Sequence, residues 1–226
     1  MFFYCLMGML VLPIKPMMAQ IRPTISILGD SYSTFENFIP KENASWYLRK
    51  PLYDRTDVKE VEQTWWWQVI KEGGYKLGIN NSYSGATICN TGYDDEDYTD
   101  RSFVTRALNL GNPDIILICG GTNDHWAEVK MGNYQYKDWK RADLFFFRPA
   151  MAKMLNDIRQ HYPNVEVFFI LNTELKSDIN KSVAEICKHY GVELIKLHDI
   201  EKKNGHPDIK GMRDFANQVL GKLKSE

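Results

Sequence analysis

Cysteine is scarce in this chain. Four occur in 226 residues, none in a Cys-x-x-Cys pair. Cys5 lies in the first apolar stretch, which leaves Cys89, Cys119 and Cys187. An odd number gives no disulfide framework, and the spacing offers no zinc site. Charge of one sign is also missing. Lys and Arg number 28 against 29 Asp and Glu, for a net charge of -1. That balance argues against a nucleic-acid partner held by a basic surface. No apolar run is long enough to cross a bilayer as a helix, which takes about 20 residues. Glycines are not spaced to wrap a phosphate: Gly29-Asp30-Ser31-Tyr32-Ser33-Thr34 lacks the dinucleotide fingerprint, which weakens a nucleotide-binding reading. No repeat and no linker divides residues 20–226, so a single domain is expected.

The N-terminus differs from the rest. Residues 1–12 are almost wholly apolar, and Ala19-Gln20 supplies a small residue at a cleavage point. Residues 1–19 are therefore expected to be a signal peptide, and the mature protein to be secreted or periplasmic. Cys5 is not followed by the small residues of a lipid-attachment site. The mature chain is expected neither to insert stably in a membrane nor to carry a lipid anchor.

What the chain has is apolar and aromatic. It is 44% hydrophobic and 13% aromatic, enough for a sizeable core. Ile25-Ser26-Ile27-Leu28 runs into Gly29-Asp30-Ser31, a short buried strand with a polar triplet at its end. Further strands are predicted near residues 79, 116, 168 and 195, the clearest being Ile115-Ile116-Leu117-Ile118-Cys119. Helices are predicted from Trp65 to Gly73, over residues 144–161, from a Ser177 cap to Tyr190 with Gly191 as the stop, and from Ile209 to about Lys224. Strands alternating with helices imply βαβ units and a parallel sheet, so the expected fold is a three-layer α/β/α sandwich with about five parallel strands. Trp65, Trp66 and Trp67 cannot share one helix face. Two are expected in the core, and the third is a candidate sugar-stacking platform.

The chemistry falls just after the strands. In a parallel sheet these loops emerge on one edge, where ligands bind. Strand one delivers Asp30 and Ser31, strand two Gly85, strand three Asn123 and Asp124, and the loop after strand five His206. Acyl transfer needs a nucleophile, a base and donors for an oxyanion. Ser31 supplies the first and His206 the second. The backbone N–H groups of Ser31 and Gly85, with the Asn123 side chain, supply the third. Asp30 and Asp124 are expected to brace the loops. Ser31 as a helix cap, Gly85 and Asn123 as turn residues, and His206 as a loop histidine are the competing structural roles. His125, His161, His189 and His198 are expected at the surface or in packing, His125 being the one nearest the proposed site.

Gly-Asp-Ser after the first strand, an isolated Gly after the second, Gly-x-Asn-Asp after the third and His-Pro before the last helix resemble the SGNH (GDSL-type) hydrolases. The blocks span residues 25 to about 220. The resemblance implies a flavodoxin-like sandwich and a serine esterase that uses neither metal nor organic cofactor. It implies Ser31 as nucleophile, His206 as base, and Gly85 and Asn123 as oxyanion partners. Short-chain, for instance acetyl, esters of a small molecule or glycan are the expected substrates. One position departs from the pattern. The family places an aspartate three residues before the histidine, and here that residue is Lys203. Lysine cannot accept the imidazole N–H. Three arrangements remain open: a backbone carbonyl orienting His206 in a Ser-His dyad, Asp199 or Glu201 from the same loop, or Glu174 at the end of strand four. Lys203 and the aromatic loops also motivate an alternative, a non-catalytic carbohydrate-binding protein on the same fold.

Overall fold

The structure, a computed structural model, describes residues 22–224. The expected leader over residues 1–19 lies outside them. Five strands form one parallel sheet: β1 (Thr24–Gly29), β2 (Lys76–Ser82), β3 (Ile115–Cys119), β4 (Glu166–Leu171) and β5 (Glu193–Lys196). Their spatial order is β2-β1-β3-β4-β5. The helices are α1 (Trp65–Glu72), α2 (Phe103–Arg106), α3 (Thr122–Trp126), α4 (Phe147–His161), α5 (Ser177–Tyr190) and α6 (Ile209–Leu223). A two-stranded hairpin, β6 (Lys202–Lys203) and β7 (His206–Pro207), precedes α6.

The period-2 alternation of strand side chains splits the core in two. Ile25, Ile27, Leu117 and Phe168 face α1 and α6; Leu28, Ile116, Ile118 and Phe169 face α2, α4 and α5. All five residues of β3 are buried, as expected of a central strand covered on both faces. Ser26 breaks the apolar run of β1 for a local reason. The register between β1 and β2 slips after Ile25, and the Ser26 hydroxyl accepts from the Ile79 amide while donating to Leu110 O.

Trp65 and Trp66 are fully buried, and Trp65 stacks on Phe215 at 4.4 Å, locking α1 to α6. Trp67 is half-buried, with Phe38 against its edge and the Lys71 ammonium over its face. It sits beside Arg22, Lys76 and Leu77 at the amino ends of β1 and β2. That is the opposite end of the sheet from Ser31, so Trp67 is not a platform for this site. Two helix starts also differ from expectation. The segment before α4 begins as a 3-10 turn, so the helix opens at Phe147. Ser177 is the first residue of α5, and Lys176 holds the cap position without a side-chain hydrogen bond. Gly191, at φ 61°, ends α5 in the left-handed region that favours glycine.

The strand order places a switch point between β1 and β3. From β1 the chain passes to β2 on one side, then returns to β3 on the other. In doubly wound sheets the ligand crevice opens at such a point. The turns after β1 and β3 carry Ser31 and Asn123.

Candidate active site

The turn after β1 can only be built with glycine first. A Cβ on Gly29 would strike the Ser82 hydroxyl and the Ser33 side chain at 2.5 and 2.6 Å. Asp30 then caps a 3-10 turn over Ser31–Ser33, its Oδ1 accepting from the Tyr32 amide at 3.0 Å. The cap is thus Asp30 and not Ser31, which leaves the serine hydroxyl free. That hydroxyl lies 2.9 Å from His206 Nε2.

His206 is held by the hairpin. The loop between β6 and β7 is Asn204-Gly205, with φ of 51° and 75°. Positive φ at both positions is what a type I′ hairpin turn requires, and Asn-Gly is its preferred sequence. The turn pairs Lys203 with His206 and brings Asn204 O to 3.1 Å from His206 Nδ1. A carbonyl oxygen only accepts, so Nδ1 carries the proton. Nε2 is then the free lone pair, facing the Ser31 hydroxyl. The Tyr32 hydroxyl donates to Gly205 O at 2.5 Å, Tyr47 donates to Pro207 O at 3.0 Å, and Asn204 Nδ2 donates to Arg55 O at 2.8 Å. Asn172 donates in turn to the Tyr32 and Thr122 hydroxyls.

None of the candidate carboxylates reaches His206. The Asp199 side chain is 96% exposed and pairs with His198. Glu201 pairs with Lys210 at 2.5 Å, and Glu174 with Lys202 at 2.9 Å. The reason is the hairpin: its turn delivers the Asn204 carbonyl to Nδ1 while Asp199, itself at positive φ, directs its carboxylate to solvent. Of the three open arrangements, the backbone carbonyl is the one found. Burial, opposed by that carbonyl and reinforced by Lys202, pushes His206 down from 6.5 to about 4.

The opposite wall is built from β2 and β3. Gly85 has φ 86°, so its glycine is required by the backbone and not by crowding, since a Cβ there would meet nothing within 4 Å. Asn123 donates from Nδ2 to Ala86 O at 3.0 Å, and the Tyr93 hydroxyl donates to its Oδ1 at 2.7 Å. Those two bonds fix which end of the amide is which. One Nδ2 hydrogen is used by Ala86, leaving the other for a ligand. Asp124 grips the same loop, accepting from the Ile88 amide at 2.9 and 3.0 Å and from the Cys89 amide at 3.4 Å. Burial raises Asp30 and Asp124 to about 7 each. Among the described residues, the amides of Ser31 and Gly85 have no hydrogen-bond acceptor.

The structure thus brings Ser31, His206, Gly85 and Asn123 to one rim and gives Asp30 and Asp124 bracing positions. It also adds residues that the sequence did not single out. Trp46 stacks face to face on His206, with ring centroids 3.6 Å apart and planes 6° apart. Tyr93 orients Asn123, and Tyr32 and Asn204 fix the hairpin. Only Asn204 had a readable signal, the Asn-Gly pair. His125 accepts from the Lys176 amide and lines a cleft of about 160 Å³ with Tyr32, Trp126, Asn172 and Gly205. A larger polar cavity of about 500 Å³ adjoins the site, lined by Glu36, Asn37, Asn43, Ser45, Arg49 and Tyr83 among others. Ser45 precedes Trp46, and Ser84, next to Tyr83, donates its amide to Ala44 O. Cys89, Cys119 and Cys187 are buried free thiols. No group of three or more His, Cys, Asp or Glu among the described residues is placed to hold a metal ion.

The model of the family described as GDSL-like Lipase/Acylhydrolase matches residues 23–223. A solved structure from Bacteroides ovatus, described as a GDSL-like lipase, is 52% identical with a TM-score of 0.89, covering 92% of this chain and 100% of that one. A second so described, from Bacteroides uniformis, is 48% identical with a TM-score of 0.90, covering 92% and 98%. An acetyl xylan esterase from the rumen bacterium Butyrivibrio proteoclasticus shares the fold at 15% identity and a TM-score of 0.59, covering 90% of this chain and 63% of that one. No curated protein matches the chain.

Proposed function

The chain belongs to the GDSL-like lipase/acylhydrolase family and is an ester hydrolase, and we propose that it is a serine esterase working through Ser31 and His206, with small acyl esters of carbohydrates as substrates. The observation that carries this reading is the 2.9 Å approach of Ser31 Oγ to His206 Nε2, with Nδ1 tied to a carbonyl.

In this mechanism Ser31 Oγ attacks the ester carbonyl as its proton passes to Nε2. The carbonyl oxygen becomes an oxyanion held by the Ser31 and Gly85 amides and the second Nδ2 hydrogen of Asn123. The intermediate collapses, the C–O bond to the alcohol breaks, and the imidazolium returns its proton to that alcohol. Water, deprotonated by the same His206, then releases the carboxylic acid and frees Ser31.

Two observations favour a small acyl group on a polar alcohol. Ser31 and Asn123 keep only 2% of their surface and His206 5%, so the reacting centre has little room for a long chain. The adjoining cavity is lined mainly by polar side chains. Sugars suit such a wall, and structural neighbours include proteins described as carbohydrate esterases and an acetyl xylan esterase. Residues 1–19 as a leader place the reaction outside the cytoplasm in this reading.

The test is a panel of acyl esters of increasing chain length alongside acetylated oligosaccharides, with a fluorophosphonate probe followed by mass spectrometry. The adduct is expected on Ser31, with acetyl preferred over longer acyl groups and sugar acetates over simple alkyl acetates. A protein that binds the oligosaccharides but is neither labelled nor active would instead be the non-catalytic binding protein.

The pH profile is a second expectation. His206 must be neutral to accept the serine proton, and its pKa is lowered to about 4. The acid limb of kcat/KM is therefore expected well below the ordinary histidine value, with activity held at pH 5 and falling as pH drops towards 4. A limb near 6.5 would show that His206 is not the buried base.

A further inference from the structure

A backbone carbonyl solves only half of the problem that a carboxylate solves in a triad. It fixes the tautomer of His206, but it brings no full negative charge to the imidazolium that forms when Ser31 gives up its proton. Lys202 makes matters worse by disfavouring that cation. Something else must face the ring.

We propose that Trp46 takes this part: its indole face is the electrostatic partner of the His206 imidazolium, replacing the carboxylate that Lys203 displaces from the sequence. The inference rests on the Ser31–His206 reading above. Three observations and one general property of tryptophan support it. The two rings are stacked at 3.6 Å and 6°, the arrangement that puts the imidazole over the negative face of the indole. Tryptophan has the strongest such face among the aromatic side chains. The indole is not held there by a hydrogen bond, because its buried Nε1 has no partner among the described residues. Finally, the backbone of Trp46 is tied to the nucleophile. Its amide donates to Thr34 Oγ1 at 2.9 Å, and that hydroxyl donates to Ser31 O at 2.9 Å. The segment that carries the indole is therefore set by the same turn that sets Ser31.

The surroundings leave the indole as the stacked partner. Tyr32 and Tyr47 approach the imidazole at tilted or edge-on angles, with centroids at 5.3 and 6.4 Å, and their hydroxyls are spent on Gly205 O and Pro207 O. Trp126 is tilted at 5.8 Å. Lys202 is the charged group felt by the ring. Trp46 is thus a positioning residue acting through His206, stabilising the charged form while Asn204 sets the tautomer.

Fluorotryptophans placed at position 46 alone test this, since each fluorine withdraws density from the ring face with little change in shape. Log kcat is expected to fall steadily with fluorine number while KM holds. Trp46→Phe is expected to keep activity within a few-fold of wild type. Trp46→Leu is expected to lose roughly 10-fold or more in kcat and to move the acid limb of the profile lower, because a stacked partner of the cation is gone. Thermal unfolding checks that each variant is folded, and the fluorinated series remains decisive if Leu is not. A kcat indifferent to fluorination, or an effect confined to KM, overturns the role of Trp46 while leaving Ser31→Ala inactive. Hydrolysis that survives Ser31→Ala overturns the dyad, and Trp46 with it.

Discussion

Ser31→Ala is expected to lower kcat for p-nitrophenyl acetate by about 10,000-fold or more, and His206→Ala to do nearly the same. The double variant is expected to be little worse than either single one. In the proposed mechanism the two side chains, joined at 2.9 Å, form one proton-transfer unit, so removing either leaves the other without a task. What survives is catalysis by the oxyanion donors and by binding, which neither variant touches. Steady-state kinetics of the three variants, with fluorophosphonate labelling of each, checks this. Additive losses would mean that serine and histidine act separately. A labelled Ser31→Ala protein would mean that the nucleophile lies elsewhere. Both positions are buried, and the swaps remove polar groups, so the folded state is expected to persist. In His206→Ala the Asn204 carbonyl loses the Nδ1–H donor it has in the wild type, but it lies at an exposed hairpin turn where water can replace the imidazole.

How much of this was legible in the sequence depends on the distance over which each feature is decided. β3 was plain, because Ile115-Ile116-Leu117-Ile118-Cys119 needs only its own apolar run and the glycines after it. The Ser31, Gly85, Asn123 and His206 positions were legible because a parallel sheet sends every strand-end turn to the same edge. The partner of His206 was not. Asp199 and Glu201 are close in sequence, but closeness along the chain says little about direction, and both carboxylates point to solvent or to a lysine. The deciding feature was the Asn204-Gly205 turn, a two-residue hairpin that delivers a carbonyl where a helical turn would have delivered a side chain. Trp46 and Tyr93 lie 160 and 30 residues from the side chains they touch, in loops with no periodicity. Only tertiary packing brings them in. Trp67 shows the converse: of a conspicuous aromatic cluster, Trp65 and Trp66 are core and Trp67 packs beside the amino ends of β1 and β2.

Asn123→Ala is expected to cost about 100- to 1,000-fold in kcat with KM little changed, the usual loss for one oxyanion donor. In the proposed mechanism the side chain of Asn123 joins two backbone amides as the third oxyanion donor. Ser31 and Gly85 offer N–H groups from the turns after β1 and β2, and the amide of Asn123 closes the ring from the turn after β3. Its amide is oriented by Tyr93, which donates to Oδ1, and by Ala86 O, which takes one Nδ2 hydrogen and leaves the other. Asn123→Asp is expected to be at least as damaging, since a carboxylate there would oppose the developing oxyanion. Tyr93→Phe is expected to give a smaller loss, of roughly 10-fold or less, because the Ala86 bond survives and the amide is loosened but not removed. The decisive comparison is kcat against KM in Asn123→Ala. If KM rises while kcat holds, the amide binds the ground-state ester and not the oxyanion, and the third donor must be sought elsewhere in the ring.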